Sequence, residues 1–549
     1  MPLGGCGEVG RSCYVYEYRD DIVIIDMGLQ FPEEDMPGID YLIPNVEYLK
    51  ARKKNIRGIV ITHGHYDHIG AIPHLLDPLG NPPLFATALT RGMIMRRQED
   101  FRHAPKPDIE VITPESHVKL GAFDVSFFHV NHNIPDSVGV VLKTPAGAIV
   151  HTGDFKFDHS PVNERPADIA RLSEIGRGGV RLLVSESTDA EIPGHQISES
   201  DVQRSLEEIF KVAPGRIIAA TFASLLTRVQ QLIWLSESYG RRVIIEGYSM
   251  KQNVAVAQEL GYLKVQKGTI IDIKELHRYP EERITIICTG AQGEDRAVLM
   301  RIANNEHRYL TLQPKDSVTF SSSVIPGNES TVQRLKDVLY KKASKVFHYA
   351  TMDIHAGGHA KREELKMMAN LIKPQFFIPI HGNYFMLKLH AELVQETGIL
   401  KQNTMIAEDG EIVRVAPTAI WKEKERAPTD YVMVDGLGVG DVKEVVLRDR
   451  QHLAEDGIFV IIAIVDSKSG KVKTSPDIIS RGFIYLKESQ ELLKQVRGLT
   501  RKIVEEVTVG GAHPINWTHV KDNLRERVGQ FLFQKTQRRP MVLPVVIEV

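Results

Sequence analysis

The chain reads as an α/β protein followed by a smaller α+β unit, and three features of its pattern say so. Up to about residue 180, short apolar strands alternate with loops, and several end on a histidine or an aspartate. From Val180 onward, strands alternate with helix-length amphipathic stretches, the pattern of a largely parallel sheet. Beyond a charged, proline-containing run at 422–430, the chain returns to strands and then to two long helical patterns.

In the first region, Asp21 to Asp26 and Ile56 to Thr62 are apolar runs of strand length, and the second leads straight into a histidine cluster. Val125 to Val130 and Ala148 to Thr152 each end just before a further ligand-type residue. In the alternating region, strands are expected at Leu182 to Ser185, Ile217 to Thr221, Val243 to Glu246, Ile284 to Cys288, Ser317 to Ser321, Val346 to Tyr349 and Phe376 to Ile380. Helices are expected at Glu199 to Val212, Leu225 to Ser238, Asn253 to Leu260 and Ala360 to Leu371. The C-terminal unit should hold strands near 442–447, 458–465 and 481–486, helices near 488–507 and 517–535, and a last strand from Met541 to Val549.

Composition narrows the class. Of 549 residues, 42% are hydrophobic and 25% charged, enough apolar material for several cores. No apolar run reaches the roughly 18 residues a membrane helix needs, and the start Met-Pro-Leu-Gly-Gly lacks the features of a signal peptide. Cys6, Cys13 and Cys288 form no Cys-x-x-Cys pair, which argues against a disulfide framework or thiolate zinc site and for a reducing cytoplasm. With a net charge of −2, a nucleic acid would have to be held by a local basic groove or by metal ions.

The sharpest signal is His63-Gly64-His65-Tyr66-Asp67-His68. His63 and His65, two apart, point the same way if the segment is extended, and Asp67 and His68 lie beyond the turn, where they can face a second ion. Mixed imidazole and carboxylate donors suit Zn²⁺, with Mn²⁺ as the alternative. Further ligands are expected at His132, Asp154 and His381, each at or near the end of an apolar strand. Any one of these alone also fits a capping or core residue; the cluster and the shared strand-end placement favour ligands.

His-x-His-x-Asp-His followed in order by His132, Asp154 and His381 resembles the metallo-β-lactamase fold. The 227 residues separating Asp154 from His381 are similar to the β-CASP subgroup, in which a nuclease domain is inserted, and Glu186, His359 and His381 match the three extra motifs of that subgroup. The segments beginning at Pro2 (Pro-Leu-Gly-Gly-Cys-Gly-Glu-Val-Gly), Thr221 (Thr-Phe-Ala-Ser-Leu-Leu-Thr-Arg-Val-Gln-Gln), Ser321 (Ser-Ser-Ser-Val-Ile-Pro-Gly-Asn-Glu) and Pro476 (Pro-Asp-Ile-Ile-Ser-Arg-Gly-Phe) resemble the bacterial ribonuclease J family over residues 2 to 549. Tyr66, the Leu225-Leu226 pair and Gly357 depart from that family's usual residues without removing a ligand.

The resemblance implies an αββα sandwich made of 1–195 and 351–421, an inserted β-CASP domain at 196–350, a linker at 422–440 and a C-terminal α+β assembly domain at 441–549. It implies a zinc-dependent 5′-to-3′ exonuclease and endonuclease on single-stranded RNA, active in RNA maturation and decay. His63, His65 and His132 would hold one Zn²⁺, and Asp67, His68 and His381 the other, with Asp154 bridging. A hydroxide between the ions would attack the phosphodiester and leave 5′-phosphate and 3′-hydroxyl ends. His359 would protonate the leaving oxygen and Glu186 would orient it, while Asp26 would support the ligand loop or simply form a turn.

His355, Gly357 and Gly358 are candidates for a phosphate cradle or a turn, and Ser321, Ser322 and Ser323 for a second phosphate contact or a strand end. Arg91, Arg96, Arg97, Arg102, Lys106, Arg241 and Arg242 fit an RNA path or a solvated face. A homodimer or homotetramer, without a membrane partner, is implied, as is association with RNA-decay proteins or ribosomes. Two other readings are an ester hydrolase, opposed by Glu186, His359 and the long insertion, and a catalytically inactive RNA-binding subunit, opposed by the full ligand set.

Overall fold

The computed structural model describes residues 1–33, 35–294, 297–325, 328–436, 438–440, 444–486, 488–508 and 515–549. They form two units, Met1–Gln30 with Ile43–Tyr431, and Phe31–Leu42 with Val432–Val549.

The first unit contains two six-stranded sheets. One runs in the spatial order Pro2–Gly4, Cys13–Tyr18, Asp21–Ile25, Ile56–Val60, Leu84–Ala86 and Ile109–Val111. The other runs Phe376–Ile380, Val180–Glu186, Gly147–His151, Val138–Thr144, Phe123–His129 and His117–Leu120. Alternate residues serve opposite faces, as the two-residue strand period requires. Val23, Ile25 and Val60 meet Val125, Phe127, Val140, Leu142 and Val184 in the core between the sheets. Phe128, Val141, Val150 and Leu183 turn the other way, against Leu172, Leu365, Met368 and Val394 of the covering helices Ile169–Arg177, Arg362–Ile372 and Tyr384–Glu396. This is the expected lactamase-type sandwich.

Strands Val180–Glu186 and Phe376–Ile380 pair in parallel, with Glu186 opposite Ile380. The chain between them leaves the sandwich, builds a second domain and returns to the adjacent strand. That insertion has a five-stranded, all-parallel sheet in the order Arg242–Glu246, Ile284–Cys288, Ile217–Ala220, Ser317–Phe320 and Lys345–His348. Its three inner strands are buried throughout, as expected where helices cover both faces. The consequence for function is that Glu186 and His381, far apart in sequence, end at one sheet edge.

In the second unit, Ile458–Val465 pairs antiparallel with Asp477–Arg481 and in parallel with Met541–Glu548. Phe459, Ile461, Ala463 and Val465 are fully buried beneath helices Gln490–Thr508 and Trp517–Thr536. Among the described residues, no helix is long and apolar enough to cross a membrane.

Three local expectations fail. The charged run read as a linker begins as the strand Ile420–Arg426, paired with Glu411–Val415, because its charges are matched across the hairpin: Lys422 and Arg426 with Glu411, and Glu423 with Arg414. Of the strand expected near 442–447, residues 442–443 lie outside the described residues and the rest is instead the start of helix Glu444–Asp456. A short Val-Val-Leu run does not distinguish the two states, and the Arg, Gln, Leu and Ala that follow favour helix. The strand expected at 481–486 lies earlier, at Asp477–Arg481, and ends where Gly482 takes a positive φ.

Candidate metal centre

Strand Ile56–Val60 carries the chain to Thr62, and His65 then N-caps the one-turn helix Tyr66–Ile69 with an extended backbone. His65 is thus on extended backbone, and Asp67 and His68 are on the helical turn. His63 Nε2, His65 Nδ1 and His132 Nε2 converge, with separations of 3.1 and 3.0 Å about the His65 nitrogen. Asp67, His68, Asp154 and His381 form an adjoining group. Asp154 Oδ2 lies between the two, 3.2 Å from His68 Nε2, 3.6 Å from His381 Nε2, 3.7 Å from His63 Nε2 and 3.9 Å from His132 Nε2.

Three of these atoms are buried and lack ordinary partners. Asp154 Oδ2, His68 Nε2 and His381 Nε2 have no hydrogen bond, a costly condition for polar atoms in an interior. Two nitrogens on one tetrahedral zinc stand about 3.3 Å apart, given bonds of about 2.0–2.1 Å. The donors are therefore spaced to share ions, and the chemistry of the set fits a pair of divalent metals. Protonation agrees. Burial pushes His63 and His132 well below the usual histidine range and His65 down to about 4, so all three are neutral.

The outer nitrogens fix which atom of each ring faces the centre. His68 Nδ1 donates to Asp26 Oδ2 at 2.8 Å. Thr62 Oγ1 donates to that same oxygen, so it accepts from His63 Nδ1. His132 Nδ1 donates to the Gly358 carbonyl at 2.7 Å, and His381 Nδ1 shares a hydrogen bond with Ser12 Oγ at 2.9 Å. Each leaves Nε2 toward the centre. Asp26, expected as either a support or a turn residue, has a positive φ of 64° and accepts from Thr62 N, Thr62 Oγ1 and His68.

Ser12, Thr62 and Gly28 were not singled out from the sequence. At Gly28, a Cβ would stand 1.5 Å from the Asp67 carbonyl, so only glycine lets the two backbones approach. The one sequence signal was its place two residues after Asp26.

Beside the metal group, His359 Nδ1 is 3.2 Å from Glu186 Oε2. Glu186 is fully buried and also accepts from the backbone N–H groups of Thr188 and Ala360. Burial alone would lower the His359 pKa, but Glu186 and then Asp154 outweigh it and raise it to about 10.

The remaining candidates are placed less uniformly. Gly357 packs on Gln196, and the Gly358 carbonyl is engaged by His132. His355 is buried, with Nδ1 lacking a partner, and Phe222 lies beside its ring. Ser321 departs from a phosphate-binding role: its hydroxyl donates to the Ile354 carbonyl and accepts from Arg228. Ser322 is buried beside Gln292, whereas Ser323 is exposed. Arg241 is buried and donates to the carbonyls of Gly215 and Ile284, so it does not line an RNA path. Arg242 donates to the Gly268 carbonyl and Arg96 pairs with Glu99, while Arg91, Arg102 and Lys106 are exposed or half-exposed. Leu225 and Leu226 are core residues.

An unanticipated network links the two domains. Lys156, two residues after Asp154, bonds Glu199 at 3.1 Å, and Glu199 accepts from the fully buried Arg228 at 2.7 Å. Arg228 in turn donates to the Ile354 carbonyl, at the start of the segment that carries His355 and His359.

Comparison with known proteins agrees with this construction. Family models match at residues 6–220 (metallo-beta-lactamase superfamily), 214–339 (ribonuclease J, beta-CASP domain), 352–406 (Zn-dependent metallo-hydrolase RNA specificity domain) and 445–549 (ribonuclease J C-terminal domain). The chain is 37% identical to ribonuclease J2 of Bacillus subtilis, covering 100% of this chain and 98% of that one. It is 40% identical to ribonuclease J 1 of Streptococcus pyogenes, covering 99% and 96%, and 39% identical to ribonuclease J of Thermus thermophilus, covering 100% and 95%. A crystal structure of a protein of unknown function from Enterococcus faecalis V583 shares the fold, with a TM-score of 0.55 at 17% identity over 74% of this chain and 97% of that one. With a lactamase-type sandwich, an inserted β-CASP domain and full-length relatives of one kind, the chain belongs to the ribonuclease J family and is a metal-dependent ribonuclease.

Proposed function

We propose that this chain is a two-zinc ribonuclease that cuts single-stranded RNA internally and from its 5′ end, in RNA maturation and decay. His63, His65 and His132 would hold one ion, Asp67, His68 and His381 the other, and Asp154 would bridge; manganese is the alternative metal. The observation that carries this reading is Asp154 Oδ2, buried without a hydrogen bond among four ligand-type histidines. Bound ions would supply an activated water and neutralise the phosphodiester.

The chain's own groups supply the rest. Glu186 binds the Nδ1 side of His359, which leaves a proton at Nε2 for the departing 3′ oxygen. Cleavage in this sense leaves a 5′-phosphate. His355, Gly357, Gly358, Ser322 and Ser323 remain the candidates for sensing a 5′ end, with Ser321 acting behind them through Ile354.

Assembly into a homodimer or homotetramer is supported by the C-terminal sheet. Ile479, Leu543, Val545 and Ile547 are exposed on it, while alternate residues fill its core. Three buried, unpaired cysteines support a cytoplasmic location. The domain limits given above stand as part of the same proposal.

The deciding experiment digests one RNA carrying a 5′-monophosphate, triphosphate or hydroxyl. Mononucleotides released only from the monophosphate form, and lost in Asp67→Ala, are the expected result. Identical internal cuts in all three would remove the exonuclease half of the proposal, and cutting by Asp67→Ala at the wild-type rate would remove the metal assignment.

A further inference from the structure

Tyr66 sits inside the ligand motif without a ligand's role. Its backbone is fixed: its carbonyl accepts from Leu29 and Gly70, and its neighbour Asp67 turns inward to the metal group. The residue is 41% exposed, between the half-buried His65 and Asp67. The ring is not loose. Arg97, on helix Ala88–Gln98, lies over it with its guanidinium carbon 4.7 Å from the ring centre. The same guanidinium carbon lies 5.2 Å from the ring centre of Phe101, and Arg97 Nε is anchored on the Gly70 carbonyl at 2.9 Å. His74 closes the column edge-on against Phe101, with centroids 4.9 Å apart.

The result is a preformed cluster of Tyr66, Arg97, Phe101 and His74, of which Tyr66 reaches solvent. A ring held from behind by a guanidinium loses little freedom when something stacks on its outer face. The next layer that matches is another flat π-system, and a flexible polyanion reaching the metal group carries such systems along its length. Tyr66 is the neighbour of Asp67 in the chain, so a base stacked on it would belong to a nucleotide near the scissile phosphate.

We propose that the outer face of Tyr66, backed by Arg97 and Phe101, is a base-stacking subsite for single-stranded RNA beside the metal centre. This rests on the site reading above. Stacking accepts any base, so the subsite contributes affinity and register without sequence preference.

The test is binding of a short single-stranded RNA in which one abasic nucleotide is moved stepwise along the chain, measured for the metal-loaded wild type, Tyr66→Ala, Tyr66→Phe and Tyr66→Trp. In the wild type, one position near the cleavage site should lose about 5- to 150-fold in affinity when its base is removed. Tyr66→Ala should bind the intact RNA more weakly by a similar factor and show no further loss at that position; Phe and Trp should restore the abasic penalty. Trp at this position should also lose fluorescence on binding the intact RNA and not the abasic one. Equal abasic penalties in wild type and Tyr66→Ala at every position would overturn the proposal, even if Tyr66→Ala binds more weakly overall. A wild type that cuts and binds no RNA would instead overturn the functional reading, which keeps the two failures distinct.

Discussion

Replacing Glu199 with glutamine tests whether the buried network between the two domains is held by charge. Glu199 and both its cationic partners are at most 5% exposed at the side chain, and among the described residues no other carboxylate bonds Lys156 or Arg228. Burial alone would raise the Glu199 pKa, but Arg228 and Lys156 hold it below the usual carboxylate range. Gln keeps the volume, so no cavity forms. What it removes is the anion facing two buried cations, and losing one partner of a buried pair costs about 3–5 kcal/mol. Since the amide oxygen can still accept one hydrogen bond from Lys156 or Arg228, the lower part of that range, about 3–4 kcal/mol, is expected. Hydrogen exchange resolved by peptide is the suitable assay, because the chain has two units and a single global unfolding energy is ill-defined. Helix Leu226–Ser238, which carries Arg228, should exchange about 150- to 700-fold faster, while Trp517–Thr536 serves as the unchanged reference. Adding Lys156→Met removes one stranded cation and should recover at least about 1 kcal/mol. Unchanged exchange in Glu199→Gln, or a double variant worse than the sum of its parts, would refute the reasoning.

Three further outcomes are expected. Asp26→Asn should weaken metal affinity by about 10- to 100-fold in chelator competition, because it disturbs the partners of both His63 and His68. His359→Ala should lower the cleavage rate by about 10²- to 10⁴-fold without changing metal content by elemental analysis. Glu186→Gln should also slow cleavage and narrow its alkaline limb, since Glu186 is the main group raising the His359 pKa. For stability, His355 and His390 are pushed down from 6.5 to about 3 by burial. Below about 6.5 the unfolded chain takes up protons that the native chain excludes, so the stability present above that pH is lost progressively toward pH 3. His390→Asn, which can keep the bond to Ser187, should show a shallower fall in melting temperature between pH 7 and 5.

The sequence by itself determined whatever is carried by neighbours along the chain. The cluster from His63 to His68 is legible because its donors lie within six residues, on either side of the extended His65 and the helical turn that follows it. The parallel insertion is legible because strand and helix periods alternate there cleanly. Reading failed where a short run fits two states and a distant partner chooses. The charged run at 422–426 is a strand because Glu411 and Arg414 lie opposite it, and Arg241 is structural because carbonyls from two other strands and loops surround it.

Only the tertiary structure decided the chemistry between elements. The register of Val180–Glu186 against Phe376–Ile380 brings Glu186 to the edge where His381 and His359 meet, across 173 residues in the case of His359. Which nitrogen of His63, His68, His132 and His381 faces inward depends on Thr62, Asp26, Gly358 and Ser12, groups drawn from separate segments. Hydrogen bonds are short and directional, so they are set by where strands are placed in space, and a linear pattern records only which groups are on offer.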